Sequence, residues 1–344
     1  MFRKKSYLAA AALAATLSLA LSACGGTTNA GTTSGQHVFT VGMTLPTAQN
    51  STIQGIAEGL RAELEQHGGK LITADSQLSI DKQIGDIDQF ITQKVDAIMV
   101  FPLDFPTLKS VLGRADKAGI PLFAHDALME DAGAEALAPI RAEVVTGRKQ
   151  QAQEAAKFIA EKTGGTGEVG AIGIAAPVTT NIYLLDQFKE QLKAHNGLAF
   201  AGQKGNPTDD AAGARPLAEA FLTQYSTLSA IYTYNDPSAI GAAAAASAAA
   251  KSKNVVVTGF NASQDGLDAV KNGSIDATWD YKPVEVGQTL GRLIQTSVVE
   301  KKPIGHFYQM DVAIVTPENV ASFVPWSERV KQIAEGKYLG LPIK

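Results

Sequence analysis

Gly119-Ile120-Pro121-Leu122-Phe123-Ala124-His125-Asp126 is the stretch whose reading decides the fold. Pro121 fixes the backbone at the entry to a short apolar run, and the run ends in an acid. As a buried parallel strand, residues 122–124 lie under helices on both faces and Asp126 leaves the carboxyl edge of the sheet. Ligands of open α/β sheets gather at that edge. The function of the chain therefore hangs on whether Asp126 faces a cleft.

Working outward, strands and helices alternate on both sides of this stretch. Before it come an apolar β-branched run over 38–45, a helical pattern over 52–66 and a strand over 70–74. A helix over 81–93, spaced by Ile84, Ile87, Phe90 and Ile91, a strand over 97–101 and a helix over 106–118 complete the series. The rhythm restarts after about residue 140. Helices are expected over 147–162, 181–195, 212–224 and 237–251, and strands over 168–175, 198–204, 230–234 and 255–260. The Ala-rich segment from Gly241 to Ala250 reads as a helix packed closely under a sheet. Past Phe260 the elements are shorter and mixed: a helix over 263–272, a strand over 277–281, a helix over 284–300, then residues 306–315, and a tail whose Trp326 and Tyr338 read as packing residues. Repeated β-α units imply right-handed crossovers and two parallel sheets. A chain of 344 residues also exceeds a comfortable single core, so two lobes with a cleft between them are expected.

The first residues stand apart. Arg3, Lys4 and Lys5 precede an apolar run over 7–21 that is short for a membrane span and is followed by small residues, the layout of an export signal. It ends in Leu21-Ser22-Ala23-Cys24, which resembles the lipobox of bacterial lipoproteins, with Cys24 as the lipidated residue. Cys24 is the only cysteine, so no disulfide forms within the chain. Residues 25–36, rich in Gly, Thr and Ser, read as a tether. Removal of residues 1–23 takes three of the 30 basic side chains and none of the 34 acidic ones, moving the formal charge from -4 to -7. No basic stripe remains to mark a nucleic-acid surface.

Catalytic motifs give little. Gly165-Thr166-Gly167-Glu168-Val169-Gly170 matches a dinucleotide fingerprint by letter but follows a helix and precedes a strand, the reverse of a pyrophosphate site. The five histidines show no metal-ligand spacing, and neither a nucleophile elbow nor a phosphate loop occurs. What remains is a set of polar residues at the carboxyl ends of expected strands: Asn50, Asp126, Asn235-Asp236, Asn261 and Tyr281. Asn and Asp also cap helices and make turns, and Asp236 before Pro237 reads as such a cap. Taken together, Asp126, Asn235 and Asn261 offer acceptors and donors suited to hydroxyl groups.

On these landmarks the chain resembles the periplasmic sugar-binding proteins of the ribose/galactose type, the solute receptors of ABC importers, whose fold is shared by LacI-type repressor cores. They are residues 41–50, Ala57-Glu58-Gly59, Ala118-Gly119-Ile120-Pro121, Tyr234-Asn235-Asp236, Ile240-Gly241-Ala242, Thr258-Gly259-Phe260-Asn261, and Ala277-Thr278 with Pro283 and Gly287. The resemblance covers about residues 37–315. It implies an α/β protein of two similar doubly wound parallel-sheet lobes joined by a multi-strand hinge. One lobe takes residues 37–142 plus 282–310, and the other 143–281 plus 311–344. It further implies sugar contacts at Asn50, Asp126, Asn235, Asn261 and Tyr281, with aromatic stacking from Tyr183, Trp279 or Tyr281. The chain departs from the family pattern where Ala127 stands in place of an arginine, where Tyr183 or Leu184 stands in place of a second arginine, and where Asn261 replaces an Asp. Fewer guanidinium forks argue against ribose itself.

The expected protein is a monomeric, lipid-anchored extracytoplasmic receptor for a small neutral sugar or polyol. It needs no cofactor or metal, binds no nucleic acid, meets the membrane only through its anchor and delivers its ligand to an ABC permease. A nucleoside or signalling-molecule receptor of the same fold is the alternative. A repressor would need a helix-turn-helix where the export signal stands, and an exported enzyme would turn over its ligand.

Overall fold

The computed structural model describes residues 38–130, 133–251 and 254–343, and the expected export signal, Cys24 and tether lie outside them. The first lobe runs β1 (Thr40–Leu45), α1 (Ser51–Gln66), β2 (Lys70–Asp75), α2 (Ile80–Gln93), β3 (Ala97–Val100), α3 (Phe105–Lys117), β4 (Leu122–His125) and β5 (Ala142–Thr146). The second takes α4 (Arg148–Thr163), β6 (Gly167–Ile174), α5 (Thr179–Leu192), β7 (Leu198–Asn206), α6 (Ala211–Gln224), β8 (Leu228–Thr233), α7 (Asp236–Ala248), β9 (Val256–Thr258), α8 (Gln264–Lys271) and β10 (Thr278–Asp280). The chain then returns to the first lobe through α9 (Pro283–Ile294) and β11 (Phe307–Met310), and crosses again to β12 (Ala313–Val315) before α10 (Trp326–Ala334). The first sheet has the order β11-β5-β4-β3-β1-β2 and the second β7-β6-β8-β9, with all pairs parallel. β10 pairs antiparallel with β12, and single bridges at Thr258–Ala277 and Asn261–Asp280 tie it to the end of the second sheet.

Both faces of each sheet are covered, which is why the strands read as continuous apolar runs. In β3, Ala97 and Met99 pack with α1 and α9 residues such as Leu60 and Leu290, while Ile98 and Val100 pack with Phe90 and Leu112 of α2 and α3. The period of two sorts neighbouring side chains into different cores. The Ala-rich segment is helical, as expected: Ala239, Ala242, Ala245 and Ala246 of α7 are buried in the core beneath the second sheet.

The structure moves two boundaries. Residues 143–146 were expected in the second lobe, but β5 pairs with β4 and β11 of the first sheet. Its polar Glu143 hides the strand pattern, since nothing local shows that the Ala127 and Leu128 N–H groups both donate to its Oε2. The tail was grouped with the second lobe, whereas α10 packs on the first, with Ile333 against Ala62 of α1 and Val284 of α9. The helix expected to reach residue 300 ends at Ile294, followed by a π-helical turn at Gln295–Val299.

Helices α1 and α9 approach so closely that only glycine fits at their crossing. A Cβ at Gly59 would lie 2.1 Å from the Val284 carbonyl oxygen, and one at Gly287 would lie 2.0 Å from that of Ile56. Both obstacles are backbone, so no side-chain rotation relieves them. Gly59→Ala and Gly287→Ala are each expected to lower the unfolding free energy in urea titrations by about 1–3 kcal/mol. Gly85→Ala, at an exposed point of α2 with open space around it, is expected to raise it by roughly 0.5–1 kcal/mol.

Candidate ligand-binding cleft

The chain crosses between the lobes at β5 to α4, at β10 to α9 and at β11 to β12. The carboxyl ends of the parallel strands face the gap beside these crossings, where open α/β sheets bind ligands. The cavity there measures about 110 Å³ and is lined from both lobes, by Asn50, Thr52, Phe101 and Leu103 on one side and Ile174, Asn181, Asp209, Tyr234, Asn235 and Phe260 on the other. Arg148, Asn261 and Tyr281 complete the wall near the crossings. At roughly 10–15 Å³ per water-sized group, such a space holds about seven to eleven of them.

Asn50, Asn235, Asn261 and Tyr281 therefore reach the cleft, whereas Asp126 and Tyr183 do not line it. Tyr183 is half-buried on α5, between the lining residues Asn181 and Leu184. Trp279 is fully buried, packed edge-on against Phe158, with its indole N–H donating to Glu154 at 2.8 Å. Its role is in the core, not in stacking a ligand.

Asp126 lies behind the wall. It is 2% exposed and has a φ of 52°. Its Oδ1 accepts from the Thr146 N–H at 2.9 Å and its Oδ2 from the Tyr281 hydroxyl at 2.9 Å. Arg148, the first residue of α4, forms an ion pair with Oδ2, and His125 Nε2 lies 3.0 Å from the same oxygen. The His125 Nδ1–H donates to the Val144 carbonyl at 2.7 Å, which turns Nε2 toward Tyr281 and Asp126. Burial by itself raises the Asp126 pKa. The charge of Arg148, with His125 and the Thr146 N–H, outweighs it and holds the carboxyl well below the usual carboxylate range.

The acid at the end of the opening stretch thus meets its guanidinium after all, from a different place. Arg148 supplies it from the start of α4, just past the crossing from β5 into the second lobe. Its Nη2 donates to the Tyr281 hydroxyl at 3.2 Å, and its guanidinium carbon lies 5.5 Å from the centre of the Tyr281 ring. An arginine opening a helix, where the macrodipole disfavours a cation, was the available sequence signal.

Two asparagines serve two purposes each. Asn50 Oδ1 caps α1 by accepting from the Thr52 and Ile53 N–H groups, and Asn235 Oδ1 caps α7 by accepting from Ser238. Their amide Nδ2 groups are left facing the cleft, and both donate to Asp209, at 3.4 Å from Asn50 and 2.7 Å from Asn235. An aspartate cap would have no such donor. Asn235, not Asp236, is the cap of α7. Asp236 is fully buried, accepts from Thr278 and Ser263, and ties α7 to α8 and β10. Asn261 holds a φ of 115° while its N–H donates to the Trp279 carbonyl at 2.9 Å. Asn181 Oδ1 accepts from the Ile174 N–H at 3.1 Å, and its Nδ2, like Thr52 Oγ1, is buried at the cleft wall without a hydrogen-bond partner among the described residues. Asp209, Asn181 and Arg148 were not selected from the sequence.

Removing one member of the buried pair strands the other. Asp126→Asn and Arg148→Met are each expected to cost about 3–5 kcal/mol in chemical denaturation, and the double variant less than their sum. Glu143 adds a pH dependence. Burial pushes its carboxyl up to about 8, above the ~4.3 of an unfolded glutamate, so the folded chain holds this proton more tightly. Its stabilising contribution is complete below that unfolded value and is lost as the pH rises through about 8. Asp236, pushed up to about 7 by burial, acts in the same direction. The urea midpoint is expected to fall between about pH 5 and pH 9, and Glu143→Gln to remove part of that slope.

Comparison with known proteins agrees with this architecture. A model of the periplasmic binding protein domain matches residues 41–302. The ribose import binding protein of Bacillus subtilis (strain 168) is 25% identical over 256 residues, covering 73% of this chain and 78% of that protein. The xylitol-binding protein of Mycolicibacterium smegmatis is 24% identical over 277 residues, covering 79% and 75%. A crystal structure of an ABC transporter solute binding protein from Bacillus halodurans with bound myo-inositol superposes with a TM-score of 0.73 at 21% identity, covering 86% of this chain and 99% of that one. With two parallel-sheet lobes and a ligand-sized cleft at their strand ends, the chain belongs to the periplasmic binding protein family.

Proposed function

We propose that this protein is an extracytoplasmic receptor that captures a small neutral sugar or polyol between its lobes and delivers it to an ABC permease. The observation that carries the reading is the chemistry of the cleft wall. Amides from both lobes, Asn50, Asn181, Asn235 and Asn261, surround a space of about 110 Å³. The lining guanidinium, Arg148, is already neutralised by Asp126. Amides donate and accept, as hydroxyls do, so a polyhydroxylated molecule satisfies them without bringing a charge. Phe101, Leu103, Ile174 and Phe260 supply the apolar surface that a sugar ring or carbon chain covers.

Relatives named for ribose and for xylitol binding support the class. The receptor reading makes the protein a carrier and not an enzyme. Export and anchoring through a lipidated Cys24 would hold it, as a monomer, at the outer face of the membrane. Among the described residues no helix is long and apolar enough to cross one.

Calorimetric titration with pentoses, hexoses, pentitols, inositols and nucleosides tests the reading. Binding of a neutral sugar or polyol without its conversion is expected. Nucleosides alone binding, or turnover of the ligand, would sink it. Asn235→Asp keeps the α7 cap but sets a second carboxylate against Asp209. It is expected to weaken binding about tenfold or more and also to lower the unfolding midpoint, because the two carboxylates meet in the unliganded chain as well.

A further inference from the structure

Asp209 combines features that its own lobe does not explain. It sits in the turn between β7 and α6 with a φ of 58°, a left-handed backbone that costs a non-glycine residue free energy. Asp210, next to it, caps α6 by accepting from the Gly213 N–H at 2.7 Å, so Asp209 is not needed for that purpose. Its half-buried carboxylate accepts from the Tyr234 hydroxyl and the Asn235 amide of its own lobe, and from the Asn50 amide of the other. All three partners are neutral donors. The carboxyl is pushed above its ordinary range, chiefly by burial.

The electrostatic count of the cleft then turns on this residue. Among the described residues that line it, Arg148 and Asp209 carry the charges, and the positive one is already matched by Asp126. The uncompensated charge facing a ligand is negative. The contact from Asn50, at 3.4 Å, is long for an N–H···O bond and therefore weak. A ligand hydroxyl approaching either donor or acceptor exchanges for it at little cost.

We propose that Asp209 is the specificity-determining residue of the cleft: it accepts hydrogen bonds from ligand hydroxyls, rejects sugars bearing a carboxylate, and joins recognition to lobe closure through Asn50. This rests on the reading of the cleft as a sugar or polyol site. Hydroxyl donors find a strong ionised acceptor, whereas a sugar acid brings like charge into a partly desolvated space. Asn50 belongs to the first lobe and Asp209 to the second, so the pair comes together only when the lobes are close enough to enclose what lies between them.

The test compares neutral and acidic forms of the same scaffold. The full mature chain is titrated with galactose and galacturonate, glucose and glucuronate, ribose and ribonate, and xylitol and xylonate, in wild type, Asp209→Asn, Asp209→Glu and Asn50→Ala. Asparagine tolerates the left-handed backbone and keeps the shape, so Asp209→Asn is expected to fold with an unchanged thermal midpoint. Wild type is expected to prefer one neutral member over its acid by at least about a hundredfold. Asp209→Asn should shrink that preference about tenfold or more, and Asp209→Glu, which keeps the charge, should retain it. Asn50→Ala should weaken binding of the neutral member while leaving the preference unchanged. A wild-type receptor for a neutral sugar whose preference survives Asp209→Asn overturns the role of Asp209 and leaves the receptor function standing. A wild-type chain that binds neither these neutral members nor any other neutral sugar or polyol of the calorimetric panel overturns both.

Discussion

The ion pair between Asp126 and Arg148 is the interaction on which the rest of the site depends. Asp126 ends the fourth strand of the first lobe, and Arg148 opens the helix by which the chain enters the second. Both are nearly inaccessible, at 2% and 5% exposure, and the Tyr281 hydroxyl from a later crossing contacts both. Burying two charges carries a large desolvation cost, which only close geometry and full hydrogen bonding offset. The Thr146 N–H and the Tyr281 hydroxyl donate to the carboxylate from separate elements, with the His125 ring beside it. A position holding all of them in register requires the two lobes to share one structured floor beneath the cleft.

With the floor neutral, the chemistry of the cleft passes to its walls. There the fold uses helix caps for two purposes. The side-chain oxygens of Asn50 and Asn235 are committed to helix N-termini, which fixes their rotamers, and the amide N–H groups are thereby aimed at one place. Preorganised donors lose less side-chain entropy when a ligand binds. Asp209 receives both amides and is the meeting point of the lobes.

The back of the hinge is tied as well. Arg329 of the C-terminal helix reaches Asp280 on the crossing strand at 2.8 Å and Glu285 on α9 at 2.9 Å, and its guanidinium lies 4.6 Å from the centre of the Phe323 ring. The segment beyond the matched domain therefore braces one crossing against the first lobe. Motion between the lobes is the ordinary expectation for a two-lobed chain, and such pairs limit which hinge strands take part in it.

The alternation of apolar runs and helical spacing was legible because both periods are local, but the cap of α7 was read one residue late, at Asp236 instead of Asn235. That was sufficient for the two lobes, the strand ends and four of the residues that line the cleft. β5 escaped because the partners of its buried Glu143 Oε2 are N–H groups 15 and 16 residues away. The place of Asp126 escaped for the same reason on a larger scale, since Tyr281 lies 155 residues further along the chain. Sequence by itself determined which residues stand at the carboxyl edges of the strands. Tertiary structure decided which of them face the ligand, because a carboxylate that finds a buried guanidinium is withdrawn from the cleft, and one that finds only neutral donors, Asp209, remains there.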